Sequence, residues 1–120
     1  MKVAVTSQGV DLISEVDPRF GRARCFIVFD TDTGDFTPHD NTQNLNALQG
    51  AGIQAARSVA DLRVEAVVTG NVGPKAFSVL QQANVKVYLG ATGSVKDALE
   101  QFQSGQLASA SEPNVEGHWT

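Results

Sequence analysis

The first third of the chain alternates between apolar runs and polar turns, a pattern that predicts three β-strands. Residues 2–6 form the first strand, and the continuous apolar run at residues 25–29 is typical of a strand buried on both faces. Turn-forming residues at 31–34 precede a polar third strand at residues 35–39, which contains Pro38. Because proline lacks an N–H group for the ladder, sheets accept it mainly at their edges. We therefore expect the second strand to be central and the third to pair with it as the outer strand of a hairpin.

After the third strand, the apolar period changes from that of a strand to that of a helix. Three amphipathic helices are predicted, starting near Gly50, at Pro74 and after Ser94, and short apolar strands at residues 65–69 and 85–89 separate them. The residues expected on the buried faces of the first two helices are Ile53, Ala56, Val59, Ala60, Ala76, Val79, Leu80 and Ala83.

Several residues predict where these helices begin and end. Pro74 suits a first helical position, and Asn84 suits a left-handed residue after a helix. Ser94 and Asp97 have the spacing of a capping box, and Gly105 ends the third helix.

The element order β-β-β-α-β-α-β-α predicts a single α/β domain at residues 1–107, followed by a loose tail at residues 108–120. A hairpin followed by two right-handed crossovers gives a five-stranded mixed sheet of order 3-2-1-4-5 with strand 2 antiparallel. The chain leaves strands 1 and 4 towards opposite sides, which creates a topological switch point. Such sheets bind ligands in the crevice beyond the carboxyl ends of their strands at that point, so we expect the functional site there.

Composition narrows the function further. The chain has 120 residues, of which 42% are hydrophobic, enough for one compact core. A net charge of −4 and an isoelectric point near 4.9 disfavour general nucleic-acid binding, which needs a broad basic surface. No apolar run approaches the roughly 18 to 20 residues of a membrane span, and the chain begins as a strand rather than as a signal peptide. We expect a soluble, cytoplasmic protein without nucleic-acid or membrane partners.

Cysteine and histidine are too few for a standard metal centre. Cys25 is the only thiol, which excludes an internal disulfide, a C-x-x-C pair and a four-thiolate site. His39 and His118 are the only imidazoles, and their spacing matches no preformed metal site. Cys25 and His39 are weak metal candidates. Although Arg24 would lower the thiol pKa, burial in the core is the simpler interpretation of Cys25.

Positive charge is concentrated in the arginine loop, residues 17–24, where Arg19, Arg22 and Arg24 lie within six positions of an acidic chain. A guanidinium stays protonated and offers a planar fork of donors, which suits oxyanions, phosphates and sulfide-bridged clusters. The alternative is a solvated basic loop, since most charge runs are solvated. Phe20 either shields a ligand from water or anchors the loop in the core.

Two further segments are expected to open on the same crevice. The glycine loop, residues 70–73, leads into the second helix, where backbone N–H groups and the helix dipole favour an anion, and Lys75 adds a cation. Such turns also occur without a ligand. The polar stretch at residues 40–49, which includes Asn41, is long for a connection and is expected to form a mobile lid. The predicted cofactor-binding residues are Arg19, Phe20, Gly21, Arg22, Asn41, Gly70, Asn71, Gly73 and Lys75.

Four segments, residues 17–23, 69–76, 87–88 and 105–107, carry a resemblance to a known family. They contain the blocks R-F-G-R and G-x-x-G-P-K-A with family spacing across residues 2–107. On these blocks the chain resembles the dinitrogenase iron–molybdenum cofactor-binding family, which includes nitrogenase accessory proteins and the small orange protein, and it is closest in character to the latter. Walker, dinucleotide and nucleophile-elbow motifs are absent.

The resemblance implies a three-layer α/β/α, ribonuclease-H-like fold and a carrier rather than an enzyme. Its cargo would be a preassembled metal–sulfur cluster, either the iron–molybdenum cofactor or a molybdenum–copper sulfide, exchanged with donor or acceptor proteins. Nitrogenase-associated members often have His before the Phe-Gly pair, where this chain has Arg19, which weakens the case for a direct histidine–metal bond. A module for a smaller anion, such as a nucleotide or phosphate metabolite, and a protein–protein adaptor are the alternatives.

Overall fold

The computed structural model describes residues 1–45 and 50–115, which form five strands and four helices. The strands are β1 (Lys2–Ser7), β2 (Cys25–Asp30), β3 (Phe36–Asp40), β4 (Ala66–Val68) and β5 (Lys86–Tyr88). The helices are α1 (Thr42–Leu45), α2 (Ala51–Asp61), α3 (Pro74–Gln82) and α4 (Val95–Gln103). Strands β4 and β5 are each shorter than the pattern predicted, and α1 was not predicted.

The strands form one sheet of order β3-β2-β1-β4-β5, which confirms the predicted order. Strand β2 runs antiparallel to β1 and β3, whereas β1, β4 and β5 are parallel. In this register Ser7, Cys25 and Asp40 lie side by side where β1 and β3 end and β2 begins. We call this end of the sheet, where β4 and β5 also end, the carboxyl edge.

Helices cover both faces of the sheet, so the three-layer α/β/α arrangement is confirmed. On one face α2 and α3 pack with a core that includes Phe20 and Phe26. On the other face α4 packs over Val3, Val5 and Ile27. Among the residues that the structure describes, no helix has both the length and the apolar character to cross a membrane.

The predicted helix boundaries follow from local chemistry and are confirmed. Pro74 begins α3, and Asn84 adopts a left-handed conformation with φ 59° just after it. Ser94 and Asp97 form the capping box of α4, in which each side chain accepts the other residue's backbone N–H at 3.0 Å. Gly105 has φ 79° beyond the end of α4, in the left-handed region that glycine tolerates.

The buried faces of α2 and α3 differ from the predicted stripes. Ile53 and Ala60 are partly exposed, whereas Ala55 is buried. In α3, Phe77 is buried, and Ala83, which follows the last residue of the helix, is exposed. The reason is that each helix packs on its neighbour as well as on the sheet, so the buried surface is turned towards the contact between the two helices.

The segment after α4 pairs with β5, in contrast with the loose tail expected from residue 108. Ser109 forms a bridge with Tyr88, and the Ala110 N–H donates to Val87 O at 2.7 Å. The physical reason is that β5 is an outer strand with unpaired backbone groups, which this segment satisfies. The last five residues of the tail lie outside the described part of the chain.

Candidate functional site

The arginine loop and the glycine loop contact each other at the carboxyl edge, and Asn71 lies at their contact. The backbone of Asn71 forms a parallel bridge with Arg19, and its carbonyl accepts the Phe20 N–H at 3.1 Å. The Asn71 side-chain Nδ2 donates to Pro18 O at 2.9 Å. The arginine loop and the glycine loop are therefore in direct contact, and Asn71 joins them through its own hydrogen bonds.

Gly70 makes this contact possible. A Cβ atom at Gly70 would lie 2.9 Å from both the Cα and the O of Pro18. Such a distance is shorter than any van der Waals contact, so only glycine lets the two loops approach this closely. Gly70 is buried, and the structure assigns it to the contact between the loops.

A buried carboxylate, that of Asp17, begins the arginine loop. Asp17 is 8% exposed, and its Oδ1 accepts the Arg19 N–H at 3.0 Å. The Thr6 hydroxyl donates to Asp17 O at 2.7 Å and lies 2.8 Å from the Thr69 hydroxyl. Burial raises the pKa of Asp17, and the N–H and charge of Arg19 oppose that rise only in part.

Phe20 lies in the core rather than facing the crevice, whereas the cofactor contact predicted for Gly21 stays a prediction. Phe20 is 0% exposed, and its ring centroid lies 5.5 Å from that of Phe26 in the core. Gly21 is buried as well. The large apolar side chain of Phe20 therefore anchors the arginine loop, the second of the two roles that the sequence left open.

The cationic side chains of the site remain accessible. Arg19 and Arg24 are exposed, and Arg22 is partly exposed. Lys75 is exposed in the first turn of α3, directly after the glycine loop. These four side chains present positive charge at one end of an acidic protein.

One N–H group of the glycine loop, that of Val72, is already occupied. The Val72 N–H donates to Asn114 Oδ1 at 2.8 Å, so a side chain of the C-terminal segment occupies it. Gly73 caps α3 in an extended conformation with φ −84°, and its carbonyl accepts the Phe77 N–H at 3.0 Å. Sequence reasoning did not identify Asn114, because this residue lies in the segment expected to be loose.

Asn41 is buried and supports the arginine loop through its hydrogen bonds, and its role in a lid and as a cofactor residue stays a prediction. It is 0% exposed; its Nδ2 donates to Ala23 O at 2.7 Å and its N–H to Arg24 O at 3.0 Å. Its Oδ1 accepts a hydrogen bond from Asn44 Nδ2 at 2.6 Å. These bonds fix the first part of the expected lid, which continues as α1, and residues 46–49 lie outside the described residues.

A groove of about 550 Å³ opens at the carboxyl edge. This volume is within the roughly 300–1,000 Å³ typical of ligand pockets. Its walls come from the loop after β1, the end of the arginine loop, β3 and the start of α1. The residues that line it are Gly9, Val10, Arg24, Cys25, Pro38, Asp40 and Thr42.

Sequence reasoning missed this groove because three separate chain segments build it. One signal was present: Val10 and Ile13 are apolar residues in an irregular loop, and they are 59% and 82% exposed. Exposed apolar side chains beside a pocket are typical of binding surfaces. Arg24 was recognised as a cation, but only its place in the fold shows that it lines the groove.

Cys25 lines the groove but is held as a neutral thiol. It is 4% exposed, and its Sγ–H donates to Gly9 O at 2.7 Å. Burial raises the pKa of the thiol and the charge of Asp40 adds to the rise, while a hydrogen bond with Ser7 and the charge of Arg24 lower it. The lowering expected from Arg24 is therefore outweighed.

Cys25 and His39 do not share a metal site. Cys25 packs on the α4 face, whereas His39 pairs with Phe26, whose side chain belongs to the opposite face. Within residues 1–45 and 50–115, no three His, Cys, Asp or Glu side chains are grouped to hold a metal ion. His118 lies outside these residues.

Comparison with known proteins agrees with the fold and with the motif blocks. Residues 1–105 match the family described as dinitrogenase iron–molybdenum cofactor. An uncharacterised protein of Methanocaldococcus jannaschii is 30% identical over 96 residues, which cover 78% of this chain and 81% of that protein.

Two solved structures are similar over nearly their whole length. The apo form of the orange protein from Desulfovibrio gigas is 41% identical with a TM-score of 0.93, and the match covers 95% of this chain and 96% of that chain. A Thermotoga protein named as a NifB protein is 37% identical with a TM-score of 0.84, and the match covers 97% of this chain and 98% of that chain. The chain therefore belongs to the dinitrogenase iron–molybdenum cofactor family.

Proposed function

We propose that this protein binds, stores or delivers a preassembled anionic metal–sulfur cluster and catalyses no reaction. Family membership and similarity to the orange protein support a cluster-binding role. The observation that carries the proposal is the groove of about 550 Å³ at the carboxyl edge, which opens beside a loop with three arginines. An anion of cluster size has room there, and the wall of the groove carries the cation of Arg24 beside the carboxylate of Asp40.

The cluster is held through its own sulfide and oxide ligands rather than assembled on the protein. Arg19, Arg22, Arg24 and Lys75 supply charged donors at the carboxyl edge. Charge-assisted hydrogen bonds contribute about 1.5–3 kcal/mol each, and several of them exceed the cost of ordering the side chains. Since these bonds are electrostatic and partly exposed, uptake weakens as salt concentration rises.

The cargo in this proposal contains molybdenum, as the iron–molybdenum cofactor or as a molybdenum–copper sulfide. Arg19 precedes the Phe-Gly pair, which favours holding an anion over forming a direct histidine–metal bond. The proposal includes donor or acceptor proteins for the cluster and a cytoplasmic location.

Anaerobic reconstitution with tetrathiomolybdate and a copper salt tests the proposal. A visible absorption band and a fixed metal-to-protein ratio are expected for the wild-type protein. Replacing Arg19→Ala and Arg22→Ala together is expected to weaken uptake at least tenfold, a loss of about 1.4 kcal/mol or more. The matched control is Arg57→Ala with Arg63→Ala, which removes two exposed guanidiniums from α2 and the turn after it.

The outcomes separate the alternatives. Unaltered uptake in the Arg19/Arg22 double variant, or equal weakening in the control, would refute the site assignment. A wild-type protein that stays colourless but melts at higher temperature with nucleotides or phosphate is a module for a smaller anion. A protein that takes up neither, but captures an acidic partner through the arginine loop, is an adaptor.

A further inference from the structure

The C-terminal segment reaches the glycine loop through a single residue, Asn114. Its Oδ1 accepts the Val72 N–H at 2.8 Å, and its own N–H donates to Val72 O at 3.2 Å. Its Nδ2 donates to Asn71 Oδ1 at 3.0 Å. One side chain therefore contacts both central residues of the glycine loop.

These bonds continue into the arginine loop through Asn71. The Asn71 carboxamide accepts from Asn114 at Oδ1 and donates from Nδ2 to Pro18 O at 2.9 Å. Because the oxygen and nitrogen of a carboxamide differ in hydrogen-bonding role, a donor at Oδ1 fixes which side of the amide faces Pro18. The Asn71 carbonyl also accepts the Phe20 N–H, so both neighbours of Arg19 are bonded to Asn71.

Asn114 is placed for this role by the pairing of its own segment with the sheet. Ser109 bridges Tyr88, and the Ala110 N–H donates to Val87 O, which anchors the segment a few residues before Asn114. An anchored segment has already lost much of its conformational freedom, so the bonds of Asn114 cost less entropy to form.

We propose that Asn114 is a positioning residue that orders the arginine loop through Asn71 and thereby holds Arg19 in place for the anion. The first claim, that Asn114 orders the arginine loop, is the structural part and is based on the hydrogen bonds. The second claim, that this ordering helps Arg19 to bind an anion, is the ligand part and rests on the proposed function. Asn114 is exposed and is not among the residues that line the groove, so its expected effect on uptake is transmitted through the two loops.

Backbone amide exchange without any ligand tests the structural part. Asn114→Ala is expected to speed exchange of the Phe20 amide by about three- to tenfold, the effect of one net hydrogen bond. Asn114→Asp keeps an acceptor for the Val72 N–H but has no donor for Asn71, so it is expected to speed Phe20 exchange similarly. The amides of β1 exchange through global opening, and their exchange rates are expected to stay unchanged in both Asn114 variants. In the control Glu112→Ala, which replaces an exposed side chain, every amide is expected to exchange at the wild-type rate.

If the Phe20 amide exchanges at the wild-type rate in either Asn114→Ala or Asn114→Asp, Asn114 does not order the arginine loop through Asn71. Its role is then limited to the hydrogen bond with the Val72 N–H. For the ligand part, reconstitution with tetrathiomolybdate and copper is expected to be about three- to tenfold weaker in Asn114→Ala and unchanged in Glu112→Ala. Equal or tighter uptake by Asn114→Ala contradicts the positioning role, and tighter uptake would mean that Asn114 occupies the place of the anion. If the wild-type protein takes up no cluster, the proposed function fails and Phe20 exchange alone decides whether Asn114 orders the loop.

Discussion

A single buried carboxylate, Asp17, sets the position of Arg19 at a cost to stability. Its Oδ1 accepts the Arg19 N–H at 3.0 Å, while burial of the charged group raises its pKa. The same residue therefore orders the loop and carries an unfavourable charge within it. A neutral acceptor of the same shape would keep the hydrogen bond that orders the loop and would not bury a charge.

Asp17→Asn is expected to raise the free energy of unfolding near neutral pH. A carboxyl whose pKa is raised by folding stabilises the fold most below its ordinary pKa, and that contribution is lost as pH rises through the folded pKa. The advantage of asparagine should therefore be present at about pH 7 and absent at about pH 3, where the wild-type carboxyl is protonated. Urea unfolding at the two pH values measures it, with the exposed Asp11→Asn as control. A wild-type protein more stable than Asp17→Asn at pH 7 would show that the carboxylate is stabilising.

Cys25→Ser is expected to leave the metal-to-protein ratio unchanged, because the thiol is neutral, buried and bonded to Gly9 O. The serine hydroxyl can keep that bond but replaces an apolar contact, so the free energy of unfolding should fall by about 1 kcal/mol. Metal analysis after reconstitution and chemical denaturation measure the two effects. Loss of metal from a folded Cys25→Ser protein would make the thiolate a direct ligand.

Between elements, the contact of the arginine loop with the glycine loop depends on Gly70. Gly70→Ala places a Cβ atom 2.9 Å from the Pro18 backbone, so the loops must separate. We expect a loss of about 1–3 kcal/mol in stability and weaker cluster uptake, because Arg19 moves with Pro18.

Gly34→Ala is the matched control for that prediction. Gly34 has φ 80° with nothing near its Cβ position, and it lies in the β2–β3 turn away from the carboxyl edge. Its replacement should cost about 1–2 kcal/mol of backbone strain and leave uptake unchanged. Equal uptake by Gly70→Ala and the wild type would show that the contact between the loops does not position the site.

The elements with regular patterns could be predicted from sequence, and the contacts between irregular segments could not. The apolar run of β2, Pro38 in β3 and the Ser94–Asp97 box each specify a local structure, which the structure confirms. Asn41 and Phe20 lie in irregular loops, where a residue type does not reveal whether it faces the core or the solvent. Their roles depend on tertiary partners that no local pattern encodes.

Prediction of the site from the sequence was limited in the same way. Topology predicted the carboxyl edge and the meeting of the arginine loop with the glycine loop, because the ends of strands 1 and 4 must adjoin. The groove beside Arg24 and the contacts of Asn114 remained hidden, since they bring together segments that are distant in the chain.

For the whole molecule, whose net charge is −4, the arginines of the arginine loop lie at the carboxyl edge together with the carboxylates of Asp17 and Asp40. The β2–β3 turn at the opposite end carries Asp30, Asp32 and Asp35, and the Met1 amine pairs with Asp32 at 2.9 Å. The three arginines of the arginine loop lie in the connection from β1 to β2, at the carboxyl edge. Cations and carboxylates occur at both ends, so attraction of a polyanion to the carboxyl edge depends on local contacts with the arginines.

Elemental analysis of protein purified without oxygen tests the central claim most directly. The account predicts molybdenum and sulfide in a fixed ratio to the chain, accompanied by iron or copper, and loss of these elements from the Arg19/Arg22 double variant but not from the Arg57/Arg63 control. A wild-type protein that is free of molybdenum after anaerobic purification, and that also takes up no cluster on reconstitution with tetrathiomolybdate and copper, would contradict the account.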